Sequence, residues 1–468
     1  MHAIDFFVFA IYFFGILSVG FYFYKKNSNK EDFYVGGRKI GPWHVGLSIA
    51  ATDVGGGFSI GLGGLGFTMG LAGSWLLFTG LVGAWMSAVL VVPRHKRLDM
   101  QHGLLTFPDF LKLKYNGQVA TWAAVISGIG YLGFTAGQIL AGGKLAAGSV
   151  FAQVSWTDPL LFSLVVMALV VVVYTVLGGI KAVIYTDTVQ WIVLLSGLLF
   201  LGFPFAYVQL GGWQAIADAL PASHFSLGNV APITIVNWSF SIVPIWFIAM
   251  TLYQRVYASP DVERAKRAFF IAGFFEYPMM AFVGVGLGML ARVAFPESDP
   301  EIALPRLLTE VLPAGVAGFV LAAYFSAVMS TADSCLIASS GNFLHDLLAK
   351  YIRHLDDKQW MLFSQVITLI LGSVAFLLAS YFTSVLSLVL HSYSFMVSGL
   401  LVPTLIAYFS RFTSSRAAMV SMLGGDTTTS VLIFYAVELP LGLEATIFGI
   451  ASSLFLYVST YLIEKRYV

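Results

Sequence analysis

The chain has 468 residues, 58% of them hydrophobic and only 10% charged. Soluble domains carry about 25% charged residues, so a soluble enzyme of this length is excluded. A balance of 25 basic against 24 acidic residues likewise excludes a nucleic-acid-binding surface. Lipid is the solvent that suits such a chain, because an apolar exterior is no liability there. The single cysteine, Cys335, leaves no disulfide framework and no Cys-based metal centre.

A helix needs about 20 mostly apolar residues to cross the hydrocarbon core. Taken from the N-terminus, the stretches that meet this are 4–24, 42–69, 72–92, 119–149, 158–180, 187–211 and 232–253. They continue with 266–295, 313–340, 361–382, 384–411, 416–436 and 442–463, which makes about thirteen spans with short connections. The first has no basic segment before it and no small-residue cleavage site, and reads as a retained span. With the N-terminus outside, 22 of the 25 basic residues fall in inside loops, and Arg292 and Arg306 fall outside. Lys144 sits at the outer end of span 4. Such a skew follows the positive-inside rule and predicts a cytoplasmic C-terminus in a plasma or inner membrane.

Span 2 holds Asp53 beside Gly55, Gly56 and Gly57. Successive glycines weaken a helix, and unwound backbone survives at bilayer depth only where it lines a cavity or is packed in protein. A carboxylate there points to a broken helix at a binding site. Gly61, Gly63, Gly64 and Gly66 fit close helix contacts instead. Span 7 carries Pro244 in its middle, which removes a backbone donor. Spans 2 and 7 lie five spans apart, so two interrupted helices occupy matching positions of two oppositely oriented halves. That is the pattern of an inverted-repeat transporter. The first half covers 42–211 and the second 232–411. Residues 1–41 and 412–468 are peripheral, and the whole is one all-α transporter domain.

Charge inside a membrane is costly and usually functional. The acids at that depth are Asp53, Asp187, Glu276 and Asp333. Asp187 opens span 6 after Thr186, where it either caps a helix start or serves an ion. Glu276 has no assigned role. In span 9, Ala327, Ser330, Thr331 and Ser334 recur on one helical face, with Asp333 beside it. Hydroxyls and a carboxylate are hard oxygen ligands suited to Na⁺; a serine stripe that cements helix packing is the other reading. With a broken helix freeing carbonyls nearby, the ion site is preferred.

Several segments resemble the sodium/solute symporter family. They are Asp32-Phe-Tyr-Val-Gly-Gly-Arg38, Gly41-Pro42-Trp43, Ala51-Thr52-Asp53-Val54 and Gly178-Gly179-Ile180. Tyr185-Thr186-Asp187-Thr188, Gln254-Arg255 and Ala327-Val328-Met329-Ser330-Thr331-Ala332-Asp333-Ser334 complete the set. The resemblance implies a thirteen-helix LeuT-like fold with a 5+5 inverted repeat and Na⁺-coupled uptake of a small-molecule solute. It implies a Na⁺ site at the carbonyls of Ala51, Val54 and Ala327 and the hydroxyls of Ser330 and Thr331. A second Na⁺ site would use Asp187, Ser330, Asp333 and Ser334. Asp53 matches an acid of proline-type members, which favours a zwitterionic amino acid such as proline over choline; pantothenate or an organic acid are alternatives. By the same alignment the solute would meet Asp53, Gly55, Gly56, Phe134, Gln138 and Trp246. Arg38 would act on a gate or anchor the inner end of span 2. Na⁺ is the co-transported ion, the lipid bilayer is the only other partner, and no obligatory protein partner is implied. A receptor on the same fold, an intramembrane enzyme and a passive channel are the competing classes. No H-E-x-x-H motif is present, and His391 reads as a packed histidine.

Overall fold

The structure is a computed structural model that describes residues 2–24, 36–152, 154–177, 180–348 and 357–467. Lys25, Lys26, Lys30, Lys350 and Arg353 of the expected inside loops, residues 32–35 and the Gly178-Gly179 pair lie outside the described residues.

The chain is helical throughout its described length. The first half comprises α1 (Ala3–Tyr24), α2 (Pro42–Met69), α3 (Trp75–Leu90), α4 (Val92–His102), α5 (Phe107–Lys114), α6 (Gly117–Ala147), α7 (Pro159–Leu177), α8 (Ile180–Ser196), α9 (Phe203–Gln209) and α10 (Gly212–Ala219). The second comprises α11 (Pro232–Ile248), α12 (Met250–Ala258), α13 (Val262–Phe274), α14 (Ala281–Ala294), α15 (Pro300–Glu310), α16 (Val316–Gly341), α17 (Asp357–Tyr381) and α18 (Val385–Phe409). Then follow α19 (Ser415–Phe434) and α20 (Ala445–Tyr467).

Polar residues in the connections start these helices. Asn116, Asp261, Asp299, Ser384 and Ser414 each cap the helix that follows, and Thr106 with Asp109 forms a capping box before α5. Helices occupy every stretch expected as a span. Among the described residues, nine are long and apolar enough to cross a membrane, or ten with the bent pair α11–α12. One of the nine, Pro42–Leu90, runs through two expected spans, and shorter apolar helices stand at the first and fifth. The count of thirteen therefore stays an expectation.

Lipid-facing and protein-facing surfaces separate cleanly. On α7, Leu161, Val165, Leu169 and Val173 recur every fourth residue and are all exposed, the stripe a bilayer would cover. Helix α16 is the opposite case, fully buried over its membrane-length window. It packs against α1, α2, α6 and α8, so its serines, threonine and aspartate face protein on every side.

Both spans expected to be broken, 2 and 7, are interrupted. In α2 the break is at Gly55 (φ 46°, ψ −164°), inside the glycine run that predicted it. In span 7 it is not at Pro244, which sits within α11, but at Ala249 (φ −69°, ψ 118°), where the chain bends by 41°. The physical reason lies in side chains that the proline argument overlooks. A continuous helix would join Phe247 C=O to Thr251 N–H. Here the Tyr253 hydroxyl donates to the Phe247 carbonyl, and the Thr251 N–H donates to the Tyr131 hydroxyl at 3.1 Å. Two tyrosines thus satisfy the backbone groups that the break exposes.

Candidate functional site

The break in α2 lies against α16. The Thr331 hydroxyl donates to the Ala51 carbonyl at 2.9 Å and approaches the Ala327 carbonyl at 3.3 Å; the Ser330 hydroxyl meets the Ala327 carbonyl at 3.0 Å. Four of the five expected sodium ligands are therefore linked through the Thr331 hydroxyl and the Ala327 carbonyl. Val54, the fifth, is the residue just before Gly55 and is fully buried. The contact explains the glycines. A Cβ on Gly55 would lie 2.1 Å from Thr331 Oγ1, and one on Gly56 would lie 2.1 Å from Val328 Cγ2. Both glycines face α16, so their part in the structure is to let two helices approach rather than to line an open surface.

One helical turn from Thr331, Arg255 organises a buried polar knot. Its Nη2 reaches Asp187 Oδ2 at 3.0 Å, Ser334 Oγ at 2.9 Å and Thr52 Oγ1 at 2.5 Å; its Nε reaches Ser48 Oγ at 2.9 Å. Asp187 also accepts from Ser48 at 2.5 Å. Two expectations are corrected here. Helix α8 begins at Ile180, so Asp187 lies within it and is an ion-pair partner, not a capping residue. Lys181, expected in an inside loop, lies in the first turn of α8. Arg255, counted among the loop cations, is wholly buried. Both oxygens of Asp333 and Oδ1 of Asp187 are buried without a hydrogen-bond partner.

On the other side of the break, Gln138 Oε1 accepts from Gly57 N–H at 3.0 Å. That N–H is one of the donors released by the interruption. Asp53 Oδ1 accepts from the Tyr393 hydroxyl at 3.3 Å. The Tyr393 ring stacks on Phe134 with centroids 5.0 Å apart and 7° between planes. Asp53, Phe134 and Gln138 thus form one wall, with Tyr393 of α18 as a fourth member. Trp246 stands elsewhere: its ring packs edge-on to Phe269 and closes on Gly83, and its carbonyl accepts from Ser87 at 2.9 Å.

Arg38 has a definite structural tie. Nη1 pairs with Asp99, and Nη2 donates to the Leu104 carbonyl at 2.9 Å. Lys96 joins the same carboxylate at 2.7 Å. The loop before α2 is thereby clamped to α4 and to the turn before α5. Beside it, His95 bonds Tyr257 at 2.7 Å. Burial and the neighbouring Lys96 charge hold its imidazole well below the usual value.

Sequence reasoning missed Arg255 and Tyr393 as site residues and left Glu276 without a role. Glu276 carried a signal, an acid within an apolar span. Arg255 carried one too, because it follows the second interrupted helix by only six residues from Ala249. Tyr393 had none, since 21 tyrosines are scattered through this chain.

The model of the Sodium:solute symporter family matches residues 33–425. The sodium/myo-inositol cotransporter 2 of Oryctolagus cuniculus is 29% identical over 420 residues, covering 80% of this chain and 60% of that protein. The chain thus spans well under two thirds of that relative's length. The high-affinity proline transporter PutP of Bacillus subtilis (strain 168) is 27% identical over 452 residues, covering 94% of each. Among solved structures, a substrate-bound, outward-open Na⁺-coupled sialic acid symporter superposes with a TM-score of 0.79 at 19% identity, covering 99% of this chain and 98% of that one. At such identity the likeness concerns the fold, which is all-α and LeuT-like. With most of its length matched by the family model and its broken helix closed on α16, the chain belongs to the sodium:solute symporter family.

Proposed function

We infer that the chain is a Na⁺-coupled symporter that takes up a small polar solute by alternating access. The observation that carries this is the Thr331 hydroxyl bridging the carbonyls of Ala51 and Ala327 across the break in α2. Hard oxygens from two helices converge where one helix is interrupted, which is how discontinuous helices hold Na⁺. Ala51, Val54, Ala327, Ser330 and Thr331 are the ligands.

Na⁺ bound there draws α2 onto α16 and orders the residues around Gly55. The solute wall of Asp53, Phe134 and Gln138 hangs on the same break through Gly57. An ion that orders the break lowers the entropy cost of binding the solute, and by linkage each ligand raises affinity for the other equally. The two interrupted helices head the repeats 42–211 and 232–411, whose relative rocking exposes the site to each side in turn. The inward potential adds about 2.3 kcal/mol per charge per 100 mV. Asp333, with Ser330 and Ser334, supplies a second Na⁺ site in which Asp187 shares its carboxylate with Arg255. Asp187→Ala is expected to lower the sodium-to-solute ratio, and an unaltered ratio would remove Asp187 from the ion path.

The relatives are named for myo-inositol, glucose, proline and sialic acid. Asp53 in the wall, and a proline transporter matched over 94% of both chains, favour a zwitterionic amino acid such as proline. Uptake into proteoliposomes under an imposed Na⁺ gradient tests the reading. Accumulation against the solute gradient is the expected result, and uptake indifferent to Na⁺, H⁺ and Li⁺ gradients would overturn it.

A further inference from the structure

Glu276 lies in the segment that joins α13 to α14, where Tyr277 leaves helical geometry (φ −137°, ψ 122°). Its side chain is 0% exposed, and Asp53, on α2, is 6% exposed. The two carboxyl groups meet across α3 at Gly80. A Cβ built there would lie 2.8 Å from Glu276 Oε2 and 3.9 Å from Asp53 Oδ2. Both acids therefore face one narrow gap beside Gly80, too tight for a Cβ unless the Glu276 side chain shifts.

Three of the four carboxylate oxygens in this gap have no partner: Asp53 Oδ2 and both oxygens of Glu276. The fourth, Asp53 Oδ1, takes only the Tyr393 hydroxyl at 3.3 Å. Among the described residues, no Lys, Arg or His forms an ion pair with either acid; Arg255 is committed to Asp187. Two buried acids without a counter-charge are strongly unfavourable when both are ionised. Asp53 also belongs to the wall it shares with Tyr393 and Phe134. A group that compensates both acids must be positively charged, small and rich in donors. An ammonium carries three N–H donors and no acceptor, matching the three open oxygens.

We propose that Asp53 and Glu276 form a paired-carboxyl receptor for the ammonium group of the transported solute, so that the chain selects amines over neutral sugars and polyols. This rests on the symporter reading above. Sugar hydroxyls can reach the same oxygens but leave both negative charges uncompensated in a desolvated site. A site built around buried polar groups rejects a ligand that cannot satisfy them. The two roles of the break are then distinct: the Ala51–Thr331 side takes the ion, and the Gly80 side takes the amine.

The test is direct binding to the purified full chain, read as thermal stabilisation in Na⁺. The probes are the twenty amino acids, choline and putrescine, set against glucose, myo-inositol and sialic acid. Stabilisation by an amine, weakened about tenfold or more by Glu276→Gln and partly restored in Glu276→Asp, is the expected result. Gly80→Ala offers a second route, since its methyl displaces only the end of the Glu276 side chain; it should weaken the same amine while Na⁺ still stabilises the protein. Stabilisation by the sugars alone, by Na⁺ alone, by no probe, or by an amine with unchanged affinity in both variants would overturn the proposal. If amine binding depends on Glu276 but uptake ignores Na⁺, the receptor stands and the symporter reading falls.

Discussion

Arg255 Nη2 lies 3.0 Å from Asp187 Oδ2, and neither side chain is exposed at all. The pair joins the second interrupted helix to α8, and through Ser48, Thr52 and Ser334 it also ties down α2 and α16. A cation supplied by the protein therefore already sits among the residues that the family resemblance assigns to a second Na⁺. Removing one partner of such a pair leaves a buried charge uncompensated, which costs about 3–5 kcal/mol. Arg255→Ala should lower thermal stability sharply. Arg255→Ala combined with Asp187→Ala should recover part of the loss. Losses that simply add would show that the two side chains are not coupled.

The proposed sodium ligands predict a selective effect. Thr331→Ala and Ser330→Ala each remove one hydroxyl and leave the carbonyls in place. Each should raise the Na⁺ concentration for half-maximal uptake by about tenfold, equivalent to about 1.4 kcal/mol, with a smaller change in apparent solute affinity at saturating Na⁺. Transport assays over a Na⁺ series decide this, and a Na⁺ dependence unchanged from wild type in both variants would reject the site.

Gly55→Ala is predicted to be poorly tolerated. The residue has φ +46°, and the added Cβ would stand 2.1 Å from Thr331 Oγ1. Overpacking of this kind costs about 1–3 kcal/mol, and a positive φ on an alanine adds about 1 kcal/mol. Expression and monodispersity should fall below those of Gly61→Ala, whose Cβ meets Leu386 Cδ1 at 3.3 Å.

At Ala249 the tyrosines replace lost backbone bonds. Tyr131→Phe leaves the Thr251 N–H without its partner in a buried position, at a cost of about 1–3 kcal/mol. The variant should melt lower than wild type. Hydrogen exchange at Thr251 should also speed up relative to neighbouring amides of α12.

Acid should weaken the inner clamp. In the unfolded chain His95 takes a proton near pH 6.5, whereas the folded site, packed by Tyr253, Tyr257, Tyr408 and Lys96, resists it. The unfolded state thus binds more protons below that value, so stability is lost as pH falls below about 6.5. His95→Gln should flatten the dependence of melting temperature on pH between about 5.5 and 7.5.

Much of this was legible from composition and spacing. The Ala51–Gly57 run announced its own interruption, and the period of Ala327, Ser330, Thr331 and Ser334 announced a polar face turned to one neighbour. Ala249 was hidden because its extended backbone depends on the hydroxyl of Tyr131, far along the chain, and on that of Tyr253, one tyrosine among many. Arg255 was hidden for a related reason. A basic residue near the end of an apolar stretch looks the same whether it snorkels to water or turns inward to an acid 68 positions away. Trp246 was placed by alignment alone, and its ring packs against Phe269 and Gly83.

The complete enclosure of α16 has a wider consequence. A helix with no lipid contact is released from hydropathy as a rule of composition, and its residues answer only to the shape and chemistry of adjoining helices. Such a segment is free to change its polar side chains one at a time without losing its place at membrane depth. Altered ion preference within this architecture is therefore expected to arise by substitution along α16, while the lipid-facing stripe of α7 stays chemically uniform.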